Sequence, residues 1–114
     1  MGNTVFAQSK NVEHKAEKHP VLEMVVYKIK SDVVPRYQEI LEQARAEVSK
    51  FEGFIGYRTF RSSKDKGVFM DLVEWESLDL AMKAANQLES KEEFKPFLSA
   101  FESITIMEHF NFYK

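Results

Sequence analysis

The chain has 114 residues and a mass of 13.3 kDa, which is enough for one ordinary domain but not for separate cofactor and substrate domains. Its 16 Lys and Arg against 18 Asp and Glu give a net charge of -2, so there is no basic surplus to neutralise the phosphates of a nucleic acid. The absence of cysteine excludes disulfides, thiolate nucleophiles and cysteine-based metal sites. Ten phenylalanines and 44% hydrophobic residues exclude a disordered chain.

The first twenty residues predict a flexible, solvated arm, because residues 8–20 are almost wholly polar and follow neither the helical nor the strand period. Val5-Phe6-Ala7 before Gln8 has the small-residue spacing of a signal-peptidase site, but no apolar segment long enough for a signal peptide precedes it. No apolar run reaches the ~20 residues of a membrane helix. We therefore expect a soluble, cytoplasmic protein; the alternative is an exported one that retains the stub of a signal peptide.

The folded domain, residues 21–114, begins with a strand and a helix. Leu22 to Lys30 is rich in β-branched and aromatic residues, which predicts a strand. Ser31-Asp32 offers a helix cap and Pro35 suits a first helical turn. An apolar stripe then recurs at helical spacing and ends at Gly53, a residue that adopts positive φ without strain; it comprises Val34, Tyr37, Ile40, Leu41, Ala44, Val48 and Phe51.

The second half repeats strands and helices in a different order. Two strands, Phe54 to Arg61 and Val68 to Trp75, flank a polar connection of hairpin length. Ser77 caps a second helix, which carries Leu78, Ala81, Met82, Ala85 and Leu88 on one side. Ser90 to Glu93 has capping-box spacing, and Pro96 predicts a break followed by a short third helix. Ile104 to Tyr113 is the last strand. This order predicts an α+β, ferredoxin-like βαββαβ fold with one four-stranded antiparallel sheet.

Both faces of that sheet are predicted to be apolar, whereas its helices cover only one. In the first strand Leu22, Met24 and Val26 alternate with Val25, Tyr27 and Ile29, and the third and fourth strands show the same double apolar pattern. An uncovered sheet face of this size exceeds the ~300 to 600 Å² apolar patch of a typical monomer. We therefore expect the second face to pack on the sheet of an identical chain, forming a homodimer.

Four segments resemble the antibiotic biosynthesis monooxygenase family, whose members form dimeric α+β barrels. They are LEMVVYKIK in the first strand, FEGFIGYRTFRS, VFMDLVEWESLDLAMKAA and EFKPFLSAFESITIMEHF. Together they span about residues 21 to 112, and the most distinctive piece is Trp75-Glu76-Ser77 followed by an Ala-rich helix. The resemblance implies oxidation of quinol-like or polycyclic aromatic substrates without metal or flavin, so no cofactor is expected.

A haem-degrading branch of the family is similar at the tryptophan but departs elsewhere. That branch uses an asparagine on the first strand and a histidine in the helical region after the tryptophan. Here residues 22–30 contain no asparagine, and Phe94 to Leu98 occupies the place of the histidine. Haem degradation is therefore not expected.

Two residues are candidate proton acceptors. His109 is the only histidine of the folded part, and imidazole moves protons near neutral pH; a structural or interface role is the alternative. Asp71 interrupts an apolar strand, so its carboxylate must find a partner or shift its pKa upward. Pairing at the dimer interface is the alternative for Asp71. His14 and His19 have no neighbouring ligands, and no metal site is predicted.

Five residues are candidates for binding a small apolar or aromatic ligand. Trp75 combines a broad apolar face with one N–H donor, and Tyr57 and Phe97 are predicted to bind the ligand with it. Core packing is the alternative for Trp75 and Phe97. Arg58 suits an anionic substrate oxygen.

Arg58 also has a structural alternative, which is pairing with Asp71 or Glu74 across the sheet. Asn86 could donate to a bound carbonyl, whereas a solvent-facing position on the helix explains it equally.

Three functions fit this sequence. The first is a cofactor-independent monooxygenase acting on a small aromatic or quinol-like substrate in an apolar cavity near Trp75. The second is a non-catalytic ligand-binding or stress-related dimeric module with the same cavity. The third, an assembly domain with a filled core, predicts no cavity and would be excluded by one larger than ~300 Å³.

Overall fold

The computed structural model describes residues 19–113. Most of the predicted arm, including the signal-peptidase spacing at Val5-Phe6-Ala7 and the histidine His14, lies outside the described residues. The elements follow the predicted order: β1 (Val21–Ile29), α1 (Tyr37–Val48), β2 (Phe54–Arg61), β3 (Val68–Trp75), α2 (Leu78–Ser90), α3 (Lys95–Ser99) and β4 (Phe101–Asn111).

The four strands form one antiparallel sheet in the order β2-β3-β1-β4. The helices α1, α2 and α3 cover one face, so the predicted α+β ferredoxin-like fold is confirmed. The core lies between the helices and this inner face, with Tyr27, Ile29, Phe69, Val73 and Phe94 among its buried residues.

Several local signals operate as the sequence predicts. Gly53 adopts the expected positive φ, 87°, but the first helix ends earlier than predicted, at Val48, and residues 49–53 form turns that lead into β2. The Ser77 hydroxyl accepts the Leu80 N–H at 3.2 Å and caps α2. Pro96 lies in the first turn of the five-residue helix α3, which follows a 3-10 turn at Glu92–Phe94.

Two predicted caps do not form. Ser31 and Asp32 lie in a turn, and α1 starts only after a 3-10 turn at Val34–Arg36, without a side-chain cap. Ser90 is still part of α2, where its hydroxyl donates to the Gln87 carbonyl. In both places the chain turns tightly before the helix, so the capping residue is not at the helix start.

The buried side of α2 is rotated from the predicted one. Ala81 and Ala84 face the core, whereas Leu78 and Met82 are about half exposed. Small residues allow this helix to lie close to the sheet, so alanine rather than the larger apolar residues marks its inner side.

Irregular strand pairing changes the orientation of two more residues. The register shifts between Phe54 and Gly56 in β2, so Phe54 faces Trp75 instead of joining Arg58 and Phe60 as alternation predicts. The pairing of β1 with β4 also shifts, which brings Ile104 to the inner face instead of the outer one. A β-bulge adds one residue to a strand and reverses the alternation beyond it.

The outer face of the sheet is apolar, as predicted. Leu22, Met24, Val26, Met70 and Leu72 are half-buried in its centre. Around them Phe60, Ile106 and Phe110 are 43%, 40% and 39% exposed. Within residues 19–113 no helix combines the length and the hydropathy needed to cross a bilayer.

Candidate functional site

A cavity of about 260 Å³ lies between the inner face of the sheet and the helices. Apolar side chains form most of its wall, including Val25, Phe51, Leu88, Phe97 and Phe101. Leu98, Ile104 and Met107 also line it and are themselves more than one-third exposed. The cavity therefore opens to solvent between α3 and β4 through an apolar mouth.

The volume is slightly below the ~300 Å³ at which ordinary ligand sites begin. It suits a ligand of one or two rings, but it does not by itself exclude an assembly domain. Polar groups that face this cavity indicate a ligand site. Asp71, Tyr57, Glu23 and Trp75 are buried or partly buried there, and the exposed Glu89 of α2 also lines the cavity.

Asp71 is the most deeply buried charged residue of the described chain, at 3% exposure. It is on β3, whose residues 69, 71, 73 and 75 alternate into the interior, and it pairs across the sheet with Val25 and Thr59. Its carboxylate accepts hydrogen bonds from the hydroxyls of Tyr57 at 2.7 Å, Thr59 at 2.9 Å and Tyr27 at 3.0 Å. The Tyr27 hydroxyl is also 2.6 Å from that of Tyr37.

In the part of the chain that the structure describes, no cation forms an ion pair with the Asp71 carboxylate. Burial raises the pKa of Asp71, while the hydrogen bonds from Tyr57, Thr59 and Tyr27 and the charge of Arg45 oppose the rise. Burial also raises the pKa of the Tyr27, Tyr37 and Tyr57 phenols, which therefore stay neutral and act as donors. Asp71 is thus a carboxyl group that takes up a proton more readily than an exposed one.

A second carboxylate faces the cavity from β1. The indole N–H of Trp75 donates to Glu23 at 2.9 Å. Burial raises the pKa of Glu23, the Trp75 hydrogen bond and the nearby His109 lower it, and the charge of Asp71 raises it. The Trp75 N–H is therefore occupied within the protein, and what this residue offers a ligand is its indole face.

His109 lies opposite Glu23 in the pairing of β1 with β4. Its Nε2 atom is buried and has no hydrogen-bond partner in the described part of the chain. The side chain is near the cavity but does not line it. His109 and Glu23 are thus polar neighbours at the wall of the cavity, which Glu23 lines and His109 does not.

The structure brings together four of the seven predicted site residues. Asp71, Tyr57, Trp75 and Phe97 line the cavity, and His109 is at its edge beside Glu23.

Arg58 and Asn86 are elsewhere. Arg58 is exposed on the outer face of the sheet, with its guanidinium 5.6 Å from the centre of the Phe60 ring. It has no ion pair with Asp71 or Glu74. Asn86 is exposed on α2, as its structural alternative predicts. Asp71 is on the inner face, so the predicted pairing at an outer-face interface does not apply to it.

Sequence reasoning missed Glu23, Tyr27 and Tyr37 as members of the site. Alternation places Glu23 and Tyr27 on the same face of β1 as Val25. It therefore predicts that a carboxylate and a phenol are both buried on the inner face of the sheet. A buried phenol needs a hydrogen-bond partner, and that requirement is the signal that connects Tyr27 to Asp71. Among residues 19–113 no three His, Asp or Glu side chains converge as metal ligands.

The family model for antibiotic biosynthesis monooxygenases matches residues 20–98. The chain belongs to this family. No curated protein sequence matches it significantly. Many solved structures share its fold, and one of them is a candidate antibiotic biosynthesis monooxygenase from Bordetella bronchiseptica, with a TM-score of 0.72 and 19% identity over 84% of this chain and 99% of the other.

Another similar structure is that of SnoaB from Streptomyces nogalater, described as a cofactor-independent oxygenase. A variant of SnoaB has a TM-score of 0.65 and 14% identity, over 83% of this chain and 92% of the other. A Bacteroides thetaiotaomicron protein of unknown function has a TM-score of 0.63 and 23% identity, over 83% of this chain and 99% of the other. At these identities the similarity to the solved structures establishes the fold alone.

Proposed function

We propose that this family member is a cofactor-independent monooxygenase acting on a small phenol- or quinol-like aromatic. The observation that carries the proposal is that two carboxyl groups with raised pKa values, Asp71 and Glu23, face one apolar cavity. A base in an apolar site is what an electron-rich aromatic needs in order to lose a proton and react with oxygen. The description of SnoaB as a cofactor-independent oxygenase supports the same chemistry.

The reaction balances without an added reductant. A phenol or hydroquinone with a C–H next to or opposite a hydroxyl loses the O–H proton to the base, and the resulting anion gives electrons to O₂ as a C–O bond forms. The C–H proton then leaves while the O–O bond breaks, so one oxygen atom becomes a quinone carbonyl and the other becomes water. The substrate supplies all four electrons.

The chain's own residues hold and deprotonate the substrate. Asp71 or Glu23 accepts the proton, and His109, beside Glu23, is the third candidate acceptor. The indole face of Trp75 and the ring of Phe97 orient a flat substrate, and the apolar wall excludes water. The Tyr57 hydroxyl, held by Asp71 at 2.7 Å, fixes the carboxylate at the cavity wall.

The same contacts also favour a second function, a non-catalytic binding module. All three close polar partners of Asp71 are hydroxyls of the protein itself, as expected for a structural carboxylate. In that case the cavity would carry or sense a small apolar ligand without turnover.

Oxygen uptake distinguishes the two functions. Purified protein is mixed with a panel of phenols and hydroquinones, and dissolved oxygen is followed for the wild type and for Asp71→Asn, Glu23→Gln, Trp75→Phe and His109→Ala. The control is Glu102→Gln, an exposed carboxylate on β4. We expect uptake that Asp71→Asn or Glu23→Gln lowers by ~10²-fold or more and that the control leaves unchanged.

A lack of uptake across the panel contradicts the enzymatic proposal. Native mass spectrometry of the protein as purified then tests the binding module, because a retained small molecule identifies the chemical class of the ligand. Absence of both uptake and ligand contradicts both functions and leaves the assembly domain.

We further propose that the outer face of the sheet packs on that of a second, identical chain. Three large apolar residues at 39% to 43% exposure surround a half-buried apolar centre on this face, and a two-fold axis makes such a patch complementary to itself. Light scattering should give a dimer at micromolar concentration, and Ile106→Glu should yield a monomer. Leu78→Glu, which changes a 48% exposed apolar residue on α2, is the control. A wild type that is monomeric contradicts this proposal.

A further inference from the structure

A second depression, separate from the cavity, lies between α1 and the hairpin of β2 and β3. It has a volume of about 630 Å³ and includes three basic residues, Arg45, Arg61 and Lys66, and no acidic one. We call it the basic groove. It shares no lining residue with the cavity near Trp75, so its occupation does not depend on the proposed function.

Among the described residues, no carboxylate forms an ion pair with the three cations of the basic groove, although the charge of Arg45 reaches the buried Asp71. Within residues 19–113 the ion pairs shorter than 4.0 Å involve Lys28, Lys50, Lys83 and Lys95, and none involves Arg45, Arg61 or Lys66. The chain carries more acidic than basic residues, so the missing ion pairs do not result from a shortage of carboxylates. A cleft lined by charge of one sign concentrates counter-ions.

The two arginines are held in place by neutral contacts. The Nε–H of Arg61 donates to the Lys66 carbonyl at 3.0 Å, and its guanidinium carbon is 5.1 Å from the centre of the Phe69 ring. The guanidinium carbon of Arg45 is 5.6 Å from the centre of the Tyr57 ring. Within residues 19–113 the terminal N–H groups of both arginines have no hydrogen-bond partner. A guanidinium that is already ordered loses less entropy when it binds an oxyanion.

The remaining lining indicates an organic anion. Phe69, Leu41 and Pro35 supply apolar surface, and Thr59 and Tyr37 supply hydroxyls. We propose that the basic groove binds a small organic anion, whose carboxylate or phosphate is held by Arg45, Arg61 and Lys66 and whose apolar part contacts Phe69 and Leu41.

Titration of the full chain with two anions tests this site. Sodium benzoate and inorganic phosphate are added separately at low ionic strength, and ¹H–¹⁵N NMR spectra are recorded, with benzyl alcohol as the neutral analogue. We expect saturable shifts at Arg45, Arg61, Lys66 and Phe69 with the anions and none there with benzyl alcohol. Tighter binding of benzoate indicates a carboxylate with a ring, and tighter binding of phosphate indicates a phosphorylated ligand.

Three variants locate the binding. Arg45→Gln and Arg61→Gln should each weaken binding ~10-fold or more, because a hydrogen bond to a charged group is lost. The matched control is Arg58→Gln, which removes another exposed arginine of β2 that also stacks on a phenylalanine, but on the outer face. The same spectra report whether each variant is folded.

Two results overturn the proposal. One is the absence of saturable shifts in the groove with either anion. The other is a loss of affinity in Arg58→Gln as large as that in Arg61→Gln, since binding would then reflect general charge.

An intermediate affinity in Arg61→Lys, which keeps the charge but loses the planar fork, supports recognition by the guanidinium.

Discussion

Removing the Tyr57 hydroxyl isolates one of the three hydrogen bonds that hold Asp71. In Tyr57→Phe the carboxylate loses its 2.7 Å donor but keeps Thr59 and Tyr27, and the ring that lines the cavity remains. A hydrogen bond to a charged group contributes ~1.5 to 3 kcal/mol. Because Tyr57 is only part-buried, we expect a loss of about 2 kcal/mol in the free energy of unfolding, or roughly 10 °C in Tm for a domain of this size.

The sign of the pH dependence follows from the same hydrogen bond. Burial raises the pKa of Asp71, so folded protein binds its proton more readily than unfolded protein, and stability is lost as pH rises from the ordinary carboxyl range through the raised pKa. The Tyr57 hydroxyl favours the ionised form, so Tyr57→Phe raises this pKa further. The difference between variant and wild type is therefore largest above the raised pKa and shrinks as pH falls through it.

Urea unfolding at a fixed protein concentration measures both effects, at about pH 8 and again at about pH 4, near the ordinary carboxyl pKa. Concentration is fixed because dimerisation would add to the apparent stability. Tyr113→Phe is the control, since that side chain is 99% exposed. A destabilisation that is equal at both pH values, or no greater than that of the control, would refute the assignment of Tyr57 as a stabilising donor to an ionised Asp71.

Three further predictions concern stability. Gly53→Ala should destabilise the protein by about 2 kcal/mol or more, because φ is 87° there and a Cβ would be 2.8 Å from the Leu80 Cβ. Urea unfolding measures the loss, and Gly56→Ala, with open space around the added Cβ, is the control. Equal effects of the two substitutions would contradict backbone strain at Gly53. Ser77→Ala should remove the cap of α2 and about 1 kcal/mol, measured by the same method; an unchanged unfolding midpoint would show that the cap contributes nothing. In Glu23→Gln the amide oxygen can still accept the indole N–H of Trp75. Because burial raises the Glu23 pKa, this variant should lose less stability than the wild type as pH rises above the ordinary carboxyl pKa. A profile of urea midpoint against pH identical to that of the wild type would contradict this.

Much of the fold could be predicted from local features of the sequence. Strand and helix periods predicted the element order, Gly53 has the positive φ expected of it, and Pro96 lies in a short helix, although α1 ends at Val48, before Gly53. Alternation along β1 and β3 showed that both sheet faces are apolar. These signals are local because they depend only on backbone geometry and on residues within a few positions of one another.

The partners inside the site depended on tertiary structure. The Trp75 N–H reaches Glu23 across 52 positions of sequence, and Tyr27 reaches Asp71 across 44. Strand register decides which side chains meet, and the bulges that turned Phe54 and Ile104 inward leave no periodic signal. The sequence by itself determined the elements and the need to bury carboxylates and phenols. Only the packed sheet and helices decided which hydroxyls satisfy Asp71 and which residues enclose the cavity, because hydrogen bonds between distant segments form only when folding fixes both partners.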